Sequence, residues 1–179
     1  MPSKHSKIVK HVHKKKGAKI NALHENSRDA KRIRNAGARD ERVANINATR
    51  QKQNRPWLDR VAFFQDRLPE TLHPLDLDQI KSDIAEYLSR HDEELASLKA
   101  ERRPGRPPSN RQLLLEQAIN SEQQEFESGF WVPDLQDEGT LMKLDAWKGS
   151  WLELGVLRFV RVDKDGVVKE SSFPPRGAS

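Results

Sequence analysis

The sequence predicts a mainly α protein in which an extended basic N-terminal arm and a docking helix precede a small helical bundle. A short C-terminal β-hairpin is the one β element its pattern allows. Three observations carry this. Lysine and arginine outnumber carboxylates 16 to 4 from Met1 to Arg55, whereas from Pro56 to Ser179 the count is 16 to 23. Hydrophobic residues make up 35% of the 179, below the roughly 45–50% of an ordinary globular chain, so part of the chain lacks the means to bury a core. From Pro56 onward, apolar residues recur at helical spacing. The expected segments are a disordered basic arm (1–25), a basic docking helix (26–53), an acidic helical body (56–162) with a basic Pro-rich loop (101–110), and a turn or hairpin with a disordered tail (163–179).

The arm interleaves Lys7, Lys10, Lys14, Lys15, Lys16 and Lys19 with His11 and His13. It shows no apolar periodicity and too little hydrophobicity to offset the entropy of ordering it, so disorder in the free protein is expected. The cluster Lys14-Lys15-Lys16 reads as a nuclear-import signal, a phosphate-binding tail, or a solvated leader.

At Asn26-Ser27-Arg28-Asp29 a helix begins, with Asn26 or Ser27 as N-cap and Asp29 in the first turn. Arg28, Lys31, Arg32, Arg39 and Arg42 fall within a stripe of roughly 100°. Ala30, Ile33, Gly37 and Ala44 occupy the far side, which reads as too small to anchor a core. Such a helix gains little from packing and much from phosphates, because each phosphate it neutralises releases condensed counterions. A solvated surface helix would need more acidic partners than Asp29, Asp40 and Glu41. A membrane-surface helix would need Trp, Phe or Leu opposite the charges, and none is there.

In the body, Trp57, Val61, Phe64 and Leu68 follow a proline suited to the first helical turn, which predicts a core helix starting at Pro56 and ending at Pro69. Asp76 should cap a helix of about six turns through Leu77, Ile80, Ile84, Tyr87, Leu88, Leu95 and Leu98, with His91 at the edge of its packed face. The stretch Glu101–Asn110 holds three prolines and a glycine and reads as a basic loop. Its Arg103-Pro104-Gly105-Arg106-Pro107 partly resembles an AT-hook; a linker or an RNA-facing loop are the other readings. Ser109 and Gln112 open a third core helix through Leu114, Leu115, Ala118, Ile119 and Phe126. Phe130-Trp131-Val132 then offers apolar bulk for closing the core, and Leu141, Leu144 and Trp147 form a shorter amphipathic piece. Val156–Val162 alternates in part like a strand, and Asp163-Lys164-Asp165-Gly166 is a turn from which Val167-Val168 could pair back.

Chemistry is conspicuous by what is missing. With no cysteine, disulfides, thiolate zinc sites and cysteine nucleophiles are excluded. No phosphate-binding loop, dinucleotide fingerprint, nucleophile elbow or zincin motif occurs. Four of the six histidines lie in or beside the arm, where no scaffold would hold a reacting geometry. No catalytic residue, metal ligand, cofactor or small-molecule substrate is therefore expected. A Lys- and His-rich start with no apolar stretch behind it reads as neither signal peptide nor membrane anchor, which leaves the cytosol or nucleus.

The element His24-Glu25-Asn26-Ser27-Arg28-Asp29-Ala30, followed some thirty residues later by Leu58-Asp59-Arg60-Val61-Ala62-Phe63-Phe64, resembles the translation machinery-associated protein 16 family. The likeness continues through Ile84–Leu88, Phe126–Leu135 and Trp147. Glu25 stands where that family usually has proline and Asp29 where it usually has a base, which lowers the charge of the motif. The resemblance implies a non-catalytic assembly factor of the large (60S) ribosomal subunit, in the nucleus and nucleolus. Its implied partners are precursor ribosomal RNA and ribosomal or assembly-factor proteins, with no membrane contact and a monomeric state until docked. The candidate RNA-binding residues are Lys10, Lys14, Lys15, Lys16, Lys19, His24, Ser27, Arg28, Lys31, Arg32, Arg39, Arg42, Arg103 and Arg106. Two rival expectations remain: a chromatin or DNA-binding protein using the AT-hook-like loop, and a protein-interaction adaptor whose arm is only an import signal.

Overall fold

The structure, a computed structural model, describes residues 3–17, 23–103 and 105–175. It is mainly helical, with one small antiparallel sheet, and divides into two compact units, Met1–Arg55 and Pro56–Ser179.

In the first unit, Lys4–Lys16 form helix α1, where composition predicted disorder. Local and tertiary bonds together offset the cost. The Ser3 hydroxyl accepts the Ser6 N–H at 3.1 Å as N-cap, and the Asp40 carboxylate accepts the His5 N–H at 3.0 Å. Helix α2 spans Arg28–Asp66. Its small side, too small to anchor a core, is where α1 sits: Val12 and Ala36 are buried, and the His5 ring lies against Gly37. Small side chains let the two backbones approach closely.

The break expected at Pro56 does not occur, for α2 carries Pro56 inside it. An internal proline costs about 3 kcal/mol through its lost hydrogen bond and its clash with the preceding turn. Val61 and Phe64 are fully buried and Trp57 and Leu58 half-buried in the second unit, each full burial being worth about 1.5–3 kcal/mol, so packing outweighs the proline.

In the second unit the expected six-turn helix splits into α3 (Leu77–Ser89) and α4 (Asp92–Glu101). Asp92, Glu93 and Glu94 fill the first turn of α4, where the helix dipole favours them. The Arg90 guanidinium folds back to donate to the Tyr87 carbonyl at 2.6 Å. His91, expected at the edge of a packed face, is half-buried and is the N-cap residue of α4. Helix α5 (Asn110–Ser128) is capped by Ser109 as predicted, but Leu114 and Ala118 face solvent while Gln112 and Ile119 are buried. Arg111–Glu94 and Lys99–Glu116 pairs join α4 to α5.

Phe130–Pro133 form strand β1, buried on both faces. It pairs antiparallel with β2 (Phe159–Val162), Phe130 opposite Val162, and β2 pairs with β3 (Val168–Ser171), Val162 opposite Val168. The hairpin turn closes through the Gly166 N–H to the Asp163 carbonyl at 3.1 Å, with Gly166 at φ 89°, a conformation that glycine adopts without steric penalty. Helix α6 (Glu138–Asp145) seats Leu141 and Leu144 in the same core as Ile80, Ile84, Phe130 and Trp131. Trp131 stacks on Phe159 at 4.2 Å and meets Trp57 edge-on at 5.3 Å. The expected disordered tail is ordered at its start, because Ser171 belongs to β3 and Phe173 packs on Trp151 and Phe159. Residues 176–179 lie outside the described residues.

Candidate nucleic-acid interface

The side chains best placed to meet a polyanion lie in the first unit. Ser27 fixes where α2 begins, its hydroxyl accepting the Ala30 N–H at 3.2 Å and its carbonyl the Lys31 N–H at 3.0 Å. Just before it, His24 Nδ1 accepts the Asn26 N–H at 3.2 Å, and Arg34 donates to the Glu25 carbonyl at 2.8 Å. His24 and Ser27 therefore shape the helix entry. From that start the helical period brings Arg28, Lys31, Arg32 and Arg39 to one flank.

Opposite them stands α1. Lys4 and Ile8 of α1 together with Arg28, Lys31, Arg32, Asn35, Ala36 and Arg39 of α2 line a groove of about 550 Å³. Five of its eight lining residues are cations, and none of these five enters an ion pair among the described residues. Like charges so close repel one another in the free protein, and an anionic ligand relieves that repulsion. Ala36 and Ile8 give the groove a narrow apolar floor, and Arg guanidinium groups offer planar forks that match phosphate oxygens two at a time.

Asp40 is the acidic counterpart that positions the groove. Its carboxyl is held below the ordinary aspartate range, chiefly by the His5 N–H and then by the Ser3 hydroxyl. It stays ionised at the N-terminal end of α1, where the dipole favours a negative charge. Asp40, one of the few acidic residues on the helix, thus ties the N-terminal end of α1 to α2.

The remaining candidates distribute as follows. Lys10, Lys14 and Lys15 lie on α1 with exposed side chains outside the groove lining, and Lys16 ends that helix. Lys19 lies outside the described residues. Arg42 leaves the groove and lines a separate recess further along α2, with Glu41, Asn45, Ile46 and Arg50. Arg103 and Arg106 belong to the second unit, where with Arg102 they line a recess at the loop between α4 and α5; Pro104 lies outside the described residues. Lys4 was missed, because its role depends on a helix the composition argued against. Ser3 as a cap and the spacing of Ile8 and Val12 were the available signals.

The second unit holds buried charge of another kind. Arg60, 4% exposed, donates to both Glu125 oxygens at 2.8 and 2.9 Å and to the Trp131 carbonyl at 3.3 Å. Its guanidinium lies 4.0 Å from the Phe130 ring centroid and 4.8 Å from that of Trp57. Burial opposes the charge, but the Glu125 bond and field raise the guanidinium pKa further. Such a closed pair is structural and leaves no donor facing solvent.

A family model described as translation machinery-associated protein 16 matches residues 19–164. The translation machinery-associated protein 16 of Saccharomyces cerevisiae is 34% identical over 165 residues, covering 90% of this chain and 92% of that protein.

Proposed function

The chain belongs to the translation machinery-associated protein 16 family, and from that premise we propose that it is a non-catalytic assembly factor of the large ribosomal subunit, acting in the nucleus and nucleolus on precursor ribosomal RNA. The single observation that carries the reading is the groove between α1 and α2, where Lys4, Arg28, Lys31, Arg32 and Arg39 converge and none of the five enters a close ion pair among the described residues. Folded RNA is read largely through phosphates and shape, and two helices set side by side present cations at fixed spacing, with less entropy left to lose than in a loose tail. The exposed lysines of α1 extend the same positive surface along the phosphate path. Arg103 and Arg106 supply a second basic contact from the body, and the predominantly acidic body faces protein neighbours in the assembling particle.

The test is sedimentation of the tagged full chain from nuclear extract through a sucrose gradient, probed for large- and small-subunit precursor RNA. Co-migration with the large-subunit precursor, lost when Arg28, Arg32 and Arg39 are changed together to Gln, is the expected result. Migration with chromatin, or no change in the triple variant, would overturn the reading.

A further inference from the structure

Ser109 is the one serine or threonine of the chain with arginines both three and six residues before it, Arg106 and Arg103, and Arg102 stands at seven. Kinases choose substrates by charge pattern, and arginines upstream of the acceptor pair with carboxylates in the kinase's peptide groove. A kinase also needs its acceptor exposed on extended chain. Residues 106–109 carry no helix or strand, Ser109 is exposed, and its backbone is extended at φ −68° and ψ 155°. Arg102, Arg103, Arg106 and Ser109 line a single recess, with Glu101 and Gln112 beside them. None of those three arginines enters an ion pair among the described residues.

We propose that Ser109 is the phosphate acceptor of an arginine-directed serine/threonine kinase, and that the phosphate is then held by Arg102, Arg103 and Arg106 of the same recess. In the transfer, the Ser109 Oγ bonds to the γ-phosphorus of ATP while the bond to the bridging oxygen of ADP breaks, and the hydroxyl proton passes to the kinase's carboxylate base. The product carries nearly two negative charges and three acceptor oxygens among three guanidinium groups. Arginine clusters are the usual partners of such groups. The Oγ now accepts the Gln112 N–H at 3.1 Å, so the new phosphate is tethered at the start of α5. One consequence rests on the RNA reading above: phosphorylation removes this loop's cations from RNA while leaving the α1–α2 groove intact.

The experiment uses the full chain, ATP and the catalytic subunit of cyclic-AMP-dependent protein kinase, an arginine-directed enzyme, with sites mapped by mass spectrometry. Incorporation should fall chiefly on Ser109, vanish in Ser109→Asn, which keeps an N-cap oxygen and so preserves α5, and drop at least about tenfold in Arg106→Ala, the lost bidentate pair being worth well over one decade. In phosphorus NMR the phosphoserine should titrate clearly below its ordinary value of about 6, returning toward it when Arg102 and Arg103 are also changed to Ala. Modification elsewhere, indifference to Arg106, or an unshifted titration would overturn the proposal. A phosphorylated chain whose RNA affinity has the same salt dependence as before would overturn the switch. An unmodified chain without salt-dependent RNA affinity would instead overturn the RNA reading and leave the modification site standing.

Discussion

The Arg60 guanidinium is gripped from two sides: both terminal nitrogens donate to the Glu125 carboxylate, at 2.8 and 2.9 Å, while the Phe130 ring lies 4.0 Å from its centre. The contact joins α2 to the end of α5 and the start of β1. Glu125 Oε1 also accepts the Trp131 N–H at 3.2 Å, so one carboxylate bonds both a neighbouring helix and a strand.

Breaking that pair from one side leaves a charge in the core. Glu125→Leu should destabilise the second unit by about 3–5 kcal/mol, whereas the double change with Arg60→Met should recover most of the loss. Urea unfolding followed by tryptophan fluorescence measures both. A double variant no more stable than Glu125→Leu would show that the cost is lost packing rather than unpaired charge.

Phe64 has no exposed surface and meets Phe63 edge-on and Tyr87 stacked. Phe64→Ala should cost about 3–5 kcal/mol in the same unfolding experiment, through lost transfer energy and the cavity left behind.

Gly37 separates two effects that are usually confounded. A Cβ there would meet the nearest His5 ring carbon at 3.6 Å, an ordinary contact, so Gly37→Ala should keep α1 seated and stabilise α2 by about 1 kcal/mol. Gly37→Leu should instead push α1 away. Protection of the α1 amides from hydrogen exchange distinguishes the outcomes.

The docking of α1 should depend on pH in one direction. The Asp40 carboxyl is lowered by the His5 N–H and the Ser3 hydroxyl, so its folded value lies below its unfolded one. Its contribution is complete above the ordinary aspartate range and is lost as pH falls through the lowered value. In the second unit, Asp137, lowered by the Thr140 hydroxyl at the cap of α6, contributes to that unit's own stability with the same sign, and Asp83, raised by burial, with the opposite one. Proton NMR of α1 along an acid titration should show release, and Asp40→Ala should release α1 at every pH.

If the five groove cations meet phosphate, log K for RNA should fall against log salt with a slope of about −3.5 to −4.5. Replacing Arg28, Arg32 and Arg39 by Gln should flatten it by about 2–3. Filter binding across a salt series gives the slope directly, and an unchanged slope would place the contact elsewhere.

Features written in local periodicity or turn chemistry were legible in the sequence. Trp57, Val61 and Phe64 announced a packed helix face, and Asp163–Gly166 with its flanking valines announced the β2–β3 hairpin. Strand β1 was hidden because Phe130–Pro133 is buried on both faces and so shows no alternation. Helix α1 was largely hidden: its local signals, Ser3 as a cap and the spacing of Ile8 and Val12, are weak beside its charge, and the bond from His5 to Asp40 spans 35 residues. The stripe of Arg28, Lys31, Arg32 and Arg39 could be read from periodicity alone, whereas Lys4 and the departure of Arg42 required the groove. Arg60 carried its own signal, a lone cation between Trp57 and Phe64 on an apolar face, which implies a buried partner without naming it.

The seam between α1 and α2 rests on little apolar area: among the described residues of the first unit, Val12 and Ala36 are the buried hydrophobics. Across that thin seam, Lys4 lines the same groove as Arg28, Lys31 and Arg32, which brings like charges close together. Cations therefore outnumber carboxylates around the groove, and a phosphate chain bound there would act as mortar between the two helices. On the proposed reading the two equilibria are linked: if RNA binds the seated form of α1 better, seating α1 strengthens RNA binding by the same free energy that bound RNA adds to the seating.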